Sequence, residues 1–205
     1  MQRGQVAVVT VVLVGALLVG AAFATDGNGP VSPDASLDAP TVGPDATSID
    51  SCTTITKPGT YVLASNITED KSTRLSESCI TIRARDVVFD GRGHRVEGNG
   101  ISDTRGVEVS ARNVTVRNVV VAEWERGVYY RNATGGTVTG VVADSNGFGI
   151  DLDWSRGVRV VDNDVEGNLV GLDLARGNAR LVVRDNRVQG NHVTDRLQNE
   201  SAESA

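Results

Sequence analysis

Six carboxylates fall between positions 151 and 173 of the chain: Asp151, Asp153, Asp162, Asp164, Glu166 and Asp173. Two kinds of chemistry use acids this dense. Retaining glycosidases hold a proton-donating carboxyl about 5–5.5 Å from a nucleophilic one. Hard cations such as Ca²⁺ collect six to eight oxygen ligands, many of them carboxylates. Either use requires that some of the six share a space, so the elements carrying them decide the question.

Those elements repeat. The segments "GVEV" from Gly106, "GVYY" from Gly127, "GIDL" from Gly149 and "GLDL" from Gly171 are spaced 21, 22 and 22 residues apart, and "CITI" from Cys79 fits the same slot. A second valine-rich strand follows each, as in "NVTVRN", "GTVTGV" and "GVRVVDN". A turn residue recurs three positions before the glycines, at Trp124, Asn146 and Asn168, with Asn191 in the same register. Units this short cannot bury an apolar face alone and must stack on copies of themselves. The pattern predicts an all-β chain, a right-handed parallel β-helix of about five coils over residues 79–191. A leucine-rich repeat is the competing fold, since "VRVVDNDV" fits its template, but leucine is scarce and the Gly-led segment is a second patterned strand.

Strand alternation then assigns faces. Val107, Val128, Ile150 and Leu172 are expected to point inward. Thr81, Glu108, Tyr129, Asp151 and Asp173 form an outward ladder, and Arg83, Ser110, Arg131, Asp153 and Ala175 form another beside it. Asp151 and Asp173 should be one strand spacing apart, about 4.8 Å. Like charges so placed repel, and Arg131 or a bound cation would compensate. Glu108, Tyr129, Asp151, Asp153 and Asp173 are therefore the candidate carbohydrate- or cation-binding residues, with Ca²⁺ the candidate metal at Asp151, Asp153 and Asp173. Outward positions are polar in any solenoid, and no wall or lid is visible to bury a carboxyl and raise its pKa, as general acid catalysis requires. No residue is assigned a catalytic role. Trp124 occupies the asparagine slot and is expected to end that ladder by packing over a turn; Trp154 is the alternative sugar-stacking surface.

The net charge of −6 disfavours nucleic acid, whose binding depends on neutralising phosphates. Lys57 and Lys71 are the only lysines, a lysine-poor acidic composition common in proteins of high-salt organisms. Residues 1–24 combine Arg3, an apolar run and Ala22-Phe23-Ala24, consistent with a cleaved export signal or a retained membrane anchor. Residues 25–48 are a Pro/Asp-rich linker, 49–78 an N-terminal cap, and 192–205 a polar tail. Cys52 and Cys79, the only two cysteines, are expected to form a disulfide fastening the cap, because exported chains pair their thiols. Sequons mark Asn66, Asn113, Asn132 and Asn199 as candidate glycan acceptors.

At "SCTTITKPGTYVLASNI" through "CITIRARDVVFDGRGHRVEGNG" and "NVTVRNVVV" the chain resembles archaeal NosD-like right-handed β-helix proteins, which carry repeats named for carbohydrate binding and sugar hydrolysis. The resemblance spans roughly residues 49–191 and implies an extracytoplasmic solenoid without fixing one reaction. The copper role associated with NosD lacks soft ligands here, since His94 and His192 are the only histidines and Met1 the sole methionine. The expected function is a secreted or surface-anchored binding module for polysaccharide, cations or another surface protein. The alternatives are a polysaccharide hydrolase or lyase using the Asp ladder, and a purely structural module whose last coil offers an edge.

Overall fold

The computed structural model describes residues 45–68, 77–100 and 102–198. The signal or anchor segment, most of the linker and the Asn199 sequon lie outside them. The described residues contain twenty strands and no helix long and apolar enough to cross a membrane.

After β1 (Thr47–Ile49) the chain winds in six coils of three strands. The first coil is β2 (Thr53–Ile55), β3 (Gly59–Leu63) and β4 (Ile67–Thr68), and the second β5 (Ser78–Ile82), β6 (Val87–Asp90) and β7 (Arg95–Glu97). The third is β8 (Arg105–Val109), β9 (Arg112–Arg117) and β10 (Val120–Ala122), and the fourth β11 (Arg126–Arg131), β12 (Thr134–Thr139) and β13 (Val142–Asp144). The fifth is β14 (Phe148–Asp153), β15 (Arg159–Val161) and β16 (Asp164–Glu166), and the sixth β17 (Val170–Arg176), β18 (Val182–Arg184) and β19 (Arg187–Val188); β20 (Thr194–Gln198) follows. Corresponding strands pair in parallel to give three sheets: sheet I is β2-β5-β8-β11-β14-β17-β20, sheet II is β1-β3-β6-β9-β12-β15-β18, and sheet III is β4-β7-β10-β13-β16-β19.

Two boundaries differ from expectation. Within the expected cap, β2, β3 and β4 form a coil of the solenoid itself, six in all where about five were expected, because β2 and β3 find parallel partners in β5 and β6. Residues read as a polar tail contribute β20, which extends sheet I along β17. The Cys52–Cys79 disulfide forms, with Cα atoms 4.4 Å apart, and fastens the first coil to the second.

The core is a set of vertical stacks. Sheet I contributes Ile80, Val107, Val128, Ile150 and Leu172; sheet II, Phe89, Val116, Val138 and Val160; sheet III, Val96, Val121, Ala143 and Val165, all of them buried. Valine suits this interior because its branched side chain packs on a pleated sheet with little rotamer loss. The recurring glycines have a steric reason. A Cβ on Gly127 would lie 2.7 Å from the Gly149 carbonyl oxygen and 3.0 Å from Asn146 Nδ2, and one on Gly149 would lie 2.8 Å from the Gly171 oxygen.

Each corner between sheets is tied by a polar ladder. At the corner from sheet III to sheet I, the Trp124 N–H donates to Asn146 Oδ1 (3.1 Å), Asn146 N–H to Asn168 Oδ1 (2.9 Å), Asn168 N–H to Asn191 Oδ1 (3.1 Å) and Asn191 N–H to Asp195 Oδ1 (3.2 Å). Each Asn side-chain amide also donates to a main-chain carbonyl of the preceding coil, as from Asn168 to Ala143 (2.9 Å). Asn163 and Asn186 form a second ladder below Val141, and Ser155 and Asn178 a third below Ala133. The left-handed backbone at this corner belongs to Asp162 (φ 56°) and Asp185 (φ 57°), one residue before the ladder asparagines Asn163 and Asn186. Trp124 does end its ladder, buried, with its indole N–H on the Val96 carbonyl (3.1 Å).

Candidate functional site

The acids expected on the outer face of sheet I lie in the predicted register. Asp151 pairs with Tyr129 and with Asp173, and Tyr129 with Glu108. The expectation that they face water is corrected. Asp151 is 1 % exposed, Asp173 4 %, Asp153 6 % and Tyr129 6 %. The second ladder is also revised at its end. A bulge in β17 places Arg176, not Ala175, opposite Asp153.

The side chains that close over these acids come from a column that alternation alone misses. The glycine and the residue after it both face inward, since a Cβ on Gly127 or Gly149 would meet the core side chain of Val121 or Val165, so the residue before each glycine points outward as well. That column carries Ser78, Arg105, Arg126, Phe148 and Val170 in register. The signal was present in "RGVEV" and "RGVYY", where arginine twice precedes the repeat glycine.

Arg126 is the centre of the arrangement. Its Nε donates to Asp151 Oδ2 (2.8 Å) and its Nη1 to Glu125 Oε1 (2.8 Å), while the guanidinium lies over the rings of Tyr129 (5.2 Å) and Phe148 (5.5 Å). Arg105 lies over Tyr129 as well (5.5 Å) and is bonded to Asp103 (2.7 Å). The Tyr129 hydroxyl donates to Asp153 Oδ2 (2.9 Å), and Arg176 reaches the same oxygen at 3.5 Å. Arg131, expected to compensate the Asp ladder, lies 3.6 Å from Glu108, which also accepts from the Ser78 hydroxyl at 2.6 Å.

Compensation is incomplete. Asp151 Oδ1 and Asp153 Oδ1 are buried without a hydrogen-bond partner among the described residues. Burial, reinforced by the Asp153 and Asp173 charges, pushes the Asp151 carboxyl up to about 7 against the opposing pull of Arg126. The orphan oxygen is the natural seat for the proton, since an anion there has no donor to receive its charge. Burial and the bond to Asp153 likewise push the Tyr129 hydroxyl up to about 12. The expectation that no carboxyl would be buried enough to act as an acid is thus corrected by Asp151.

The cation reading fares differently. Among the described residues no group of three or more His, Cys, Asp or Glu side chains is placed to hold a metal ion. Asp151, Asp153 and Asp173 share a face, yet Arg126, Tyr129 and Arg176 occupy the sides through which they would converge on Ca²⁺. Of the other acids in the opening run, Asp164 and Glu166 belong to sheet III, where both bond Arg187 (2.6 and 2.8 Å), and Asp162 is a turn residue.

Accessible polar surface lies next to the closed cluster. A groove of about 480 Å³ runs along the corner ladder and is lined by Ser102, Glu123, Glu125, Ser145, Leu169 and His192. Gly100 and Ser102, between β7 and β8, contribute to one side of it. Glu125 links groove and cluster, because it accepts from the Asp103 N–H and from Arg126. A groove of this size is within the ordinary range for small ligands, roughly 300–1,000 Å³, and its lining offers hydroxyls, carboxylates and one imidazole for hydrogen bonding. Trp154 is exposed on the corner from sheet I to sheet II.

No curated protein and no solved structure matches the chain. A family model described as a right handed beta helix region matches residues 50–202, which covers the six coils and β20. The three parallel sheets, the stacked core and that match agree: the chain belongs to the right-handed β-helix family.

Proposed function

We propose that the chain is an exported, surface-displayed member of this family with NosD-like repeats, and that it binds polysaccharide without turning it over. The observation that carries this reading is the contrast in access. The acid ladder is closed and ion-paired, whereas the groove beside it is open and lined by groups suited to sugar hydroxyls. Glu123, Ser145 and His192 would accept or donate bonds along a glycan chain, and exposed Leu169 would cover an apolar ring face. In this reading the acid ladder braces the groove through Glu125 and Arg126. The disulfide is in keeping with an oxidising compartment.

Calorimetric titration with neutral and amino-sugar polysaccharides tests the proposal. Glu123→Gln combined with His192→Ala should weaken binding by about tenfold, roughly 1.4 kcal/mol, while Asp151→Asn leaves it unchanged. Equal affinity in the groove variant and the native chain would remove the proposal.

The raised Asp151 carboxyl favours a second reading, a polysaccharide hydrolase in which Asp151 donates the proton and Asp153 acts as its partner carboxylate. Reducing-end release from a polysaccharide by the native chain, lost in Asp151→Asn, would establish it. Absence of release by the native chain across the polysaccharides it binds leaves the binding reading alone.

A further inference from the structure

Three sequons fall on described residues, and the fold treats them differently. Asn66 Oδ1 accepts from the Arg95 N–H (2.9 Å) and lies 3.3 Å from His94 Nδ1, which anchors that amide to the second coil. Asn113 Nδ2, the atom that would carry a sugar, is already donated to Asp86 Oδ1 (2.8 Å), and its Thr115 lies inside β9 between two neighbouring strands. Asn132 differs in its side chain. All three asparagines are exposed, but that of Asn132 has no hydrogen-bond partner among the described residues, and Thr134 two positions on is exposed at the first residue of β12, where its backbone pairs with Arg112 and Arg156. Ala133 between them is buried and holds the tripeptide to the core as an outward-facing turn. The backbone of Asn132 is left-handed (φ 52°), which asparagine tolerates better than most residues.

The neighbouring coil supplies a second observation. The Asn132 N–H donates to the Asp153 carbonyl, and the Trp154 N–H donates to the Arg176 carbonyl in the same way. Trp154 therefore holds, one coil on, the place that Asn132 holds on its own, about 4.8 Å away along the solenoid. Its indole packs on Gly177, where an added Cβ would come within 2.3 Å of the ring, and is otherwise left in solvent at 67 % exposure. An exposed tryptophan at a turn loses hydration free energy in proportion to any apolar surface that covers it. A pyranose carried by Asn132, one coil before, would meet the indole with its C–H face from the side away from Gly177.

We infer that Asn132 is an N-glycosylation site whose first sugar packs against Trp154. The donor would be a lipid-phosphate-linked oligosaccharide. Asn132 Nδ2 forms the bond to the anomeric carbon, the anomeric C–O bond to the lipid phosphate breaks with its electron pair leaving on the phosphate, and the amide gives one proton to the transferase base. The inference rests on the export part of the proposed function and is independent of the polysaccharide groove.

The test is intact-mass measurement and glycopeptide mapping of the full chain produced in a cell that N-glycosylates its exported proteins. One glycan is expected on Asn132; it should be lost in Asn132→Gln and in Thr134→Ala and kept in Asn66→Gln and Asn113→Gln. An exported, disulfide-bonded chain that carries no glycan, or carries it on Asn66 or Asn113 with Asn132 bare, overturns the inference and leaves export standing. A chain retained in the cytoplasm with Cys52 and Cys79 reduced overturns both. The packing is read separately by acrylamide quenching, since Trp124 is buried and the accessible indole emission comes from Trp154. Quenching should be weaker in the glycosylated chain than in Asn132→Gln, and equal quenching overturns the contact with Trp154.

Discussion

Two ladders of near-identical side chains run up this solenoid, and they meet burial in opposite ways. Asn146, Asn168 and Asn191 stack at one corner, and Asp151 and Asp173 stack on the face of sheet I beside Asp153. An amide both donates and accepts, so each asparagine satisfies a main-chain N–H of the coil before it and a carbonyl deeper in the same turn. The ladder is complete in itself and can be extended indefinitely. A carboxylate only accepts, so stacked aspartates repel each other and have nothing to give their neighbours. That ladder borrows donors from Arg126, Tyr129 and Arg176 and still leaves two buried oxygens without partners among the described residues. Self-sufficient repetition is structural, and repetition that depends on other residues is where chemistry becomes available.

The largest effect should come from breaking the asparagine ladder in its middle. Asn168→Ala removes the two bonds its Oδ1 accepts from Asn146 and the two Nδ2 N–H donors shared among Ala143, Glu166 and Asn191, and strands buried groups. A loss of about 4 kcal/mol is expected, read as a fall in Tm of roughly 10 °C. A loss below about 1 kcal/mol would mean that water replaces the ladder and that the contrast with the aspartates is illusory.

Next comes Arg126→Met, which removes the cation that holds Asp151 and leaves a buried charge. About 3 kcal/mol should be lost at pH 8, with the loss shrinking at acid pH. The sign follows from Asp151. Its folded carboxyl is raised to about 7 from an ordinary 3.8, so between those values the folded chain holds a proton that the unfolded chain has released. This contribution to stability is fully present below about pH 4 and is lost as the pH rises through about 7. Asp151→Asn should abolish that slope, and chemical denaturation from pH 4 to 8 measures it. Parallel stability-against-pH curves for the native chain and Asp151→Asn would show that Asp151 is ionised throughout.

The smallest effect should be at the open end of the asparagine ladder. Asn191 is half-buried and receives its cap from Asp195 in β20. Asn191→Ala should cost about 1 kcal/mol, a quarter of the Asn168 value, and local opening near β20 should appear in amide exchange. Equal costs for the two substitutions would imply that β20 seals the sixth coil as firmly as the coils seal each other.

The repeat spacing was enough to place Asp151, Asp173, Tyr129 and Glu108 in one column, because strand stacking converts a 22-residue period into a fixed register. The asparagine slot and the end of its ladder at Trp124 followed from the same reading, while the pairing of Cys52 with Cys79 followed from their being the only two cysteines. What alternation could not supply was that each repeat glycine faces inward together with the residue after it, which turns Arg105, Arg126 and Phe148 onto the acid face. It also could not anticipate the bulge that exchanges Ala175 for Arg176, since one extra residue in one strand leaves no trace in a pattern of valines and polar residues.

The sequence by itself determined the β-helix fold, the coil length, the core and the identity of the stacked acids, because each depends on local periodicity. Only the tertiary structure decided that those acids are buried and ion-paired, that Asp151 holds its proton to near neutrality, and that the open polar surface is the groove at the corner. Exposure and pKa depend on which side chains from neighbouring coils arrive at the same point in space. That is set by the sum of bends and bulges along some twenty residues of chain between one rung and the next.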